Sequence, residues 1–545
     1  MGFAKLVRVR GRTIAIISVA GVVAAAGGGG AGAWWVLHTR GTPQETARQY
    51  TAAWAAGDLT AMKTQLVTPV PAAFDTVSSS IAKDLKATFK DVKLGNVAPA
   101  GEDRYEASYT ATLEIADVGP WTYEGTFGLV VFDRQWKVDW KPQTFHPGID
   151  GTSKLALKTT WPERAALTDA QGNRIDGTDV GGSVQQLAGF LDKATAKDIA
   201  KLGPAYRKNQ AIGRGGLQET FQKRLAGTPT TDVMAGDTPL ESIKGKKGEP
   251  VKTSLDMTVQ NAAANAIRDL DKPASLVAIR PATGEILAIA NNRGDFNRAL
   301  NGQYAPGSTF KTVTAAALLA KGVGPTESVT CPENANVGGL KIRNSDNAEY
   351  GTISFSDSYA YSCNTTFAPL AQEHLGADGL YKAAGDLGFN QPLNIGVPAS
   401  KGSMPKATSD AELAAESFGQ AKIIASPLIM ASVAAAIADG TWRPPTLVPG
   451  LKQKAEERPL PDGVADELRG MMHAVVSKGT AKAAGLPSGA YGKTGTAEYG
   501  SGPELPSHAW FHGYRGDVAF AIVVEGGGGG GKVAAPVAAD FLRGF

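Results

Sequence analysis

The rhythm of hydrophobic and polar positions changes several times along the chain. The stretch "TIAIISVAGVVAAAGGGGAGAWWVLH", starting at Thr13, runs for about 25 residues without a charge, enough at about 1.5 Å per residue to cross a bilayer as a helix. Lys5, Arg8, Arg10 and Arg12 precede it without an acid, and Trp34 and Trp35 lie near its far end. Basic flanks stay on the cytoplasmic side, and amphipathic rings favour the membrane interface. The pattern predicts a cytoplasmic tail over 1–12 and a transmembrane anchor over 13–37, with the remainder outside the cytoplasm. Ala31, Gly32 and Ala33 also suit signal-peptide cleavage, an alternative that leaves the bulk of the chain on the same side.

Next, "TPQETARQYTAAWAAGDLTAMKTQL" has helical periodicity, with Thr42 as its cap. "YEASYTATLEIA", "WTYEGTFGLVVF" and "QWKVDWKP" read as strands, with period-two alternation clearest in the first and last. A helix followed by a strand meander predicts a small α+β domain over 42–148. Residues 149–245 are irregular, with turn signals in "DAQGNRIDG" and a helical piece in "GGLQETFQKRLAG", and read as a linker or interaction domain. The polar "SIKGKKGEP" marks a boundary. From 250 to 545 a strand and an amphipathic helix come first, then an apolar hairpin in "ASLVAIRPATGEILAIAN", helices, and closing strands in "AWFHGYRGDVAFAIVVEGG". Strands at both ends predict a sheet built from the two ends of this region, packed on a helical subdomain. The glycine run 526–531 reads as a flexible turn between the last strand and the last helix. The fold class is multidomain α+β.

Composition narrows the function. At 545 residues several domains are expected. A net charge of +3 on so long a chain, with no basic stripe, argues against a nucleic-acid partner. The only cysteines, Cys331 and Cys363, form no CxxC, and the six histidines are scattered. His508 and His512 lie in strand and turn, where helical zinc spacing does not apply, so no metal site is expected. A disulfide is permitted outside the cytoplasm without being required.

Three short stretches carry candidate chemistry. In "APGSTFKTVTAAALLA", Ser308 and Lys311 are three apart at the start of an apolar helix, hence on one face. A serine hydroxyl needs a base to become a nucleophile, and a lysine can be that base when burial and a neighbouring cation lower its pKa. In "YSCNTTF", Ser362 and Asn364 can offer a hydroxyl and an amide to one cleft. In "YGKTGTAEYG", Lys493 supplies a second cation, Gly495 permits close approach, and Thr494 and Thr496 offer hydroxyls to a carboxylate.

Together and in this order, the stretches resemble the S-x-x-K, S-x-N and K-T-G marks of the penicillin-binding protein and serine β-lactamase superfamily. Cys363 stands where that family often has Asp. "HAWFHGY" is similar to the family's next strand. The whole chain resembles a class B penicillin-binding protein: an anchor, a nuclear-transport-factor-two-like extension over 42–148, a pedestal or dimerisation segment over 149–245, and a transpeptidase domain over 250–545. The resemblance implies an acyl-serine D,D-transpeptidase, acting on peptidoglycan stem peptides ending in D-Ala-D-Ala and acylated by β-lactams, without a cofactor. It implies Ser308 as nucleophile, Lys311 as base, Ser362 as proton relay and Lys493 as source of positive field. By the same resemblance Asn364, Thr494, Gly495 and Thr496 would bind substrate, and the N–H groups of Ser308 and Thr496 would form the oxyanion hole. A membrane glycosyltransferase of the shape, elongation, division and sporulation type is the implied partner. The rival readings are a D,D-carboxypeptidase and a β-lactam sensor or scaffold without turnover. The short inner tail leaves no room for a signalling domain.

Overall fold

The structure, a computed structural model, describes residues 39–501 and 505–545. The tail and anchor expected over 1–37 lie outside the described residues. Among the described residues no helix is long and apolar enough to cross a membrane.

The chain divides into two compact units, one of residues up to Lys158 with Thr231–Ile243, the other of Thr159–Thr230 with Lys244–Phe545. In the first unit, helix α1 (Pro43–Ala55) begins where the Thr42 hydroxyl accepts from the Glu45 N–H at 3.2 Å, with Pro43 in its first turn. Helices α2 (Leu59–Thr64) and α3 (Ala73–Lys83) follow. Strands β1 (Ala87–Gly101), β2 (Arg104–Ile115), β3 (Gly119–Phe132) and β4 (Gln135–Asp139) form an antiparallel meander in chain order. Along β2 every second side chain from Ala107 to Ile115 is buried, which gives the sheet one apolar face. Trp54 of α1 fills that face, its ring centroid 4.8 Å from Tyr109, 5.3 Å from Phe89 and 5.4 Å from Phe145. A strand much later in the chain, Thr230–Ala235, adds Val233 and Ala235 to the same core.

The second unit is built on a five-stranded sheet. Strands β5 (Ala274–Ile279) and β6 (Ile286–Asn291) come from its beginning, and β11 (Ala490–Glu498), β12 (Ser507–Arg515) and β13 (Val518–Val524) from its end. The order is β6-β5-β13-β12-β11, antiparallel throughout. Every residue of β5 and β13 is buried, as befits central strands covered on both faces. Between the two groups the chain forms the short pairs β7 (Ser328–Cys331) with β10 (Gly351–Ser354), and β8 (Asn334–Val337) with β9 (Leu340–Arg343). Helices α4 (Met257–Arg268), α5 (Lys311–Ala320), α6 (Phe355–Ala360), α7 (Asn364–His374), α8 (Pro427–Asp439), α9 (Val464–Ser477) and α10 (Ala534–Arg543) supply the rest of the frame. Almost the whole of α8 is buried, and it lies against β5, β12 and β13. Strand β11 pairs with β12 alone, so its outer edge is open among the described residues.

The glycine run lies, as expected, between the last strand and the last helix, and part of it packs closely. The Gly530 N–H donates to the Thr496 hydroxyl at 3.2 Å, and a Cβ on Gly530 would come within 2.3 Å of the Gly495 carbonyl oxygen. A Cβ on Gly531 would meet the Thr480 carbonyl at 2.4 Å. The run is a turn pressed against β11, and its lack of side chains permits that approach.

Trp54 is 1% exposed and caged by aromatic rings. Trp54→Ala should destabilise the first unit by about 3–5 kcal/mol, seen in scanning calorimetry as an earlier transition of that unit; an unmoved transition would contradict this packing.

Candidate active site

Ser308 sits in a 3-10 turn, Gly307–Phe310, that runs straight into α5. Gly307 has φ +53°, and a Cβ there would lie 2.4 Å from the Thr496 carbonyl oxygen, so a side chain is excluded on both counts. The tight turn delivers Lys311 one step beyond the serine, with its Nζ 3.0 Å from Ser308 Oγ. Lys311 is fully buried, whereas Ser308 is half-buried and reachable from the cleft.

Ser362 follows α6 with φ +65°, a left-handed conformation uncommon for serine. Its neighbours hold it there. The Cys363 N–H donates to the Ser358 carbonyl at 2.9 Å, and Cys363 is joined to Cys331 of β7 by a disulfide. Both sulfurs belong to buried residues. Asn364 opens α7; its Oδ1 accepts from Lys311 Nζ at 2.6 Å, and its Nδ2 donates to the Arg343 carbonyl at 2.8 Å.

The contacts of Lys311 determine its protonation geometry. Nζ lies 2.7 Å from the Ser362 carbonyl oxygen and 2.6 Å from Asn364 Oδ1, both pure acceptors. A neutral amine has two N–H bonds and one lone pair. In that form the two carbonyl oxygens take the N–H bonds, and the lone pair faces the hydroxyls of Ser308 at 3.0 Å and Ser362 at 3.2 Å. Burial holds Lys311 well below the usual lysine range, and the positive charge of Lys493 pushes it further down.

Lys493 on β11 is also fully buried, and burial lowers it to about 7. Its Nζ donates to Ser362 Oγ at 2.9 Å and to the Thr494 carbonyl at 3.0 Å, and stands 5.6 Å from the centre of the Tyr359 ring. Beneath it runs a neutral relay. His512, opposite Lys493 in the β11–β12 ladder, has Nδ1 3.1 Å from the Met430 carbonyl, so Nδ1 carries the hydrogen. His512 Nε2 then accepts from the Thr312 hydroxyl at 2.8 Å, which in turn accepts from Tyr359 at 2.8 Å. Burial is the main reason His512 falls to about 4, so it stays uncharged at neutral pH.

The remaining predicted residues line the same cleft. A Cβ on Gly495 would come 3.0 Å from the Thr309 nitrogen and the Pro306 oxygen, so this glycine lies directly against the serine turn. Thr494 and Thr496 share one face of β11. The Thr494 hydroxyl is 2.5 Å from that of Thr480. Ser308, Lys311, Ser362, Asn364 and Lys493 are therefore linked by hydrogen bonds, with Thr494, Gly495 and Thr496 beside them.

Sequence reasoning missed Thr480, the Tyr359–Thr312–His512 relay and the role of the Arg343 carbonyl. None has a motif, because each acts through packing. The disulfide did leave a signal: one of only two cysteines lies between Ser362 and Asn364.

Residues 274–543 match the penicillin-binding protein transpeptidase domain, and residues 42–153 match the NTF2-like N-terminal transpeptidase domain. The peptidoglycan D,D-transpeptidase PbpA of Mycolicibacterium smegmatis is 31% identical over 373 residues, covering 58% of this chain and 73% of the relative. The chain belongs to the class B penicillin-binding proteins. Among solved structures, PBP2 of Pseudomonas aeruginosa in complex with WCK 5153 is similar at 25% identity and TM-score 0.62, over 71% of this chain and 96% of that one. Penicillin-binding protein A of Mycobacterium tuberculosis, solved as a ceftriaxone acyl-enzyme, is similar at 27% identity and TM-score 0.51, over 55% of this chain and 81% of that one.

In this penicillin-binding protein the disulfide spans 32 residues and pins the turn that presents the Ser362 carbonyl and Asn364. Replacing both cysteines by serine should cost about 3–4 kcal/mol and slow acylation by benzylpenicillin at least about tenfold in stopped-flow measurements. A destabilised double variant that acylates at the native rate would show that the turn keeps its geometry unaided.

Proposed function

We propose that this chain is a peptidoglycan D,D-transpeptidase that works through an acyl-serine at Ser308. The observation that carries the reading is the fully buried Lys311 Nζ standing 3.0 Å from Ser308 Oγ, where burial and the charge of Lys493 push its pKa well below the usual lysine range. Lys311 takes the hydroxyl proton as Oγ bonds to the carbonyl carbon of the penultimate D-alanine of a stem peptide. The backbone N–H groups of Ser308 and Thr496 receive the oxyanion, a type of contact whose loss typically costs about 3–4 kcal/mol. The proton on Lys311 passes to Ser362 Oγ, 3.2 Å away, and the Ser362 hydrogen moves to the nitrogen of the departing D-alanine as the peptide bond breaks. Lys493, also bonded to Ser362 Oγ, stabilises the oxygen during that exchange. Thr494 and Thr496 hold the terminal carboxylate, and the second N–H of Asn364 Nδ2 binds a substrate carbonyl. The amine of a neighbouring stem peptide then attacks the ester and gives its proton to Lys311, which returns it to Ser308 Oγ as the ester C–O bond breaks, leaving a crosslink and a free Ser308 hydroxyl. A β-lactam enters by the same first step, and its opened ring remains on the serine.

The same reading assigns 42–148 as a nuclear-transport-factor-two-like spacer, 149–245 as a pedestal and 250–545 as the catalytic domain. The N-terminal segment holds the catalytic domain outside the cytoplasmic membrane, beside a glycan-polymerising partner.

Ser308→Ala should abolish labelling by fluorescent penicillin, and persistent labelling would exclude Ser308 as the nucleophile. Lys311→Ala should lower the acylation rate about a hundredfold or more, as expected for loss of a general base. Lys493 carries its charge only below about pH 7, so the second-order acylation constant should decline as pH rises through that value. Lys493→Gln should remove this decline; a native profile without it would contradict the assigned role. With a D-alanyl thioester donor and an acceptor amine, the full chain should yield the crosslinked product by mass spectrometry. Hydrolysed donor alone would mark a carboxypeptidase, and no turnover a scaffold.

A further inference from the structure

Three buried polar side chains beside the cleft take no part in this mechanism. Thr312, Tyr359 and His512 are fully buried, where a hydroxyl or imidazole is costly unless its hydrogen bonds are met. The bonds that meet them run in one direction. The Met430 carbonyl fixes the hydrogen on His512 Nδ1, so Nε2 accepts from Thr312, and Thr312 accepts from Tyr359. The phenol is the end donor of this chain. Burial raises it well above the usual phenol range, so it keeps its hydrogen at neutral pH.

What the chain of bonds holds in place is the Tyr359 ring, whose centre lies 5.6 Å from Lys493 Nζ. An ammonium there has three N–H bonds. Ser362 Oγ at 2.9 Å and the Thr494 carbonyl at 3.0 Å receive two of them. The titratable groups facing Lys493 are Lys311 from the serine helix, His512 from β12 and Tyr359 from α6, and none of these is an anion at neutral pH. Helix α9 also packs on β11, and its His473 lies against Tyr491, ring centres 5.8 Å apart. Beyond the two oxygens, the negative face of the Tyr359 ring is what favours the charge. A phenol that donates its hydrogen polarises its ring in the same favourable sense.

We propose that Tyr359 is a positioning residue for Lys493, its ring face taking the third N–H of the ammonium while the Thr312–His512 relay fixes the ring. The other two N–H bonds are thereby held on Ser362 Oγ and the Thr494 carbonyl. Without the ring the charged form of Lys493 loses a partner and the neutral form does not. Lys493 then gives up its proton at a lower pH, and the cleft loses its positive field earlier as pH rises. The inference rests on the role given to Lys493 in the proposed function and says what sustains that role.

The test uses the detergent-solubilised full chain with Tyr359 replaced by phenylalanines that carry no, one, two or three ring fluorines. Each fluorine weakens the negative ring face and changes the volume little. The readout is the pH midpoint of the decline in the benzylpenicillin acylation constant, with thermal denaturation of every variant alongside. The midpoint should fall stepwise with fluorine number, by about half a pH unit from phenylalanine to the trifluorinated ring, and by about one unit from the native chain to Tyr359→Leu. Thr312→Val, which cuts the tether and keeps the ring, should lower the midpoint by less than Tyr359→Leu does; a native midpoint there would overturn the part given to the relay. A midpoint that ignores fluorine, whatever happens to stability, would overturn the part given to the ring, and the fluorinated series decides alone if Tyr359→Leu does not fold. Lys493→Gln separates the two readings. If the decline survives that substitution, the role of Lys493 fails and Tyr359 with it. If Lys493→Gln removes the decline and fluorine leaves the midpoint in place, only Tyr359 fails.

Discussion

One amine with no water around it organises the cleft. Lys311 is fully buried, and its two N–H bonds are claimed by the Ser362 carbonyl and Asn364 Oδ1. What remains faces two hydroxyls, Ser308 Oγ at 3.0 Å and Ser362 Oγ at 3.2 Å. An ammonium in that place would need a counter-charge, and its neighbours supply carbonyl and hydroxyl oxygens instead. Lys493 adds repulsion, and the His512–Thr312–Tyr359 relay beneath is neutral. The environment therefore disfavours the proton on Lys311 and fixes the position of its amine at the same time.

The rest of the second unit holds that arrangement. Three chain segments far apart in sequence meet only because backbone approaches backbone closely. Gly307 fits under the Thr496 carbonyl, Gly495 against the serine turn, and Gly530 against Gly495. Each contact would be blocked by a Cβ. The second segment has a serine, Ser362, and not a glycine at its left-handed position. The Cys331–Cys363 disulfide and the Ser358 carbonyl constrain the neighbouring residue instead. The five-stranded sheet contributes stiffness: its central strands are buried end to end, and the outer edge of β11 beside the serine is unpaired among the described residues.

Much of this was readable from residues alone, for a physical reason. Period-two alternation marked β2 and β4, and the apolar hairpin at Ala274–Asn291 announced itself by two hydrophobic runs around a turn. Ser308, Lys311, Ser362, Asn364, Lys493 and the Thr-Gly-Thr that begins at Thr494 could be singled out by residue type and spacing, and the structure brings them to one cleft. Features set by tertiary approach were not readable. The glycine run looked flexible because glycine's freedom is visible in sequence and the wall it packs on is not. The Thr230–Ala235 strand belongs to a core begun more than a hundred residues earlier, and nothing local says so. The disulfide stayed open because pairing needs two positions in space. Arg343 gave no sign, since its contribution to Asn364 is a backbone carbonyl that any residue possesses.

The most direct check is the protonation state of Lys311 itself. NMR titration of protein labelled with ¹³C at the lysine Cε, with the Lys311 signal assigned by its loss in Lys311→Arg, reads that state in the resting enzyme. Burial and the neighbouring Lys493 predict an amine titrating well below the usual lysine value of about 10.4. A Lys311 signal that stays protonated to the ordinary lysine range would contradict the base, and with it the organisation of the cleft.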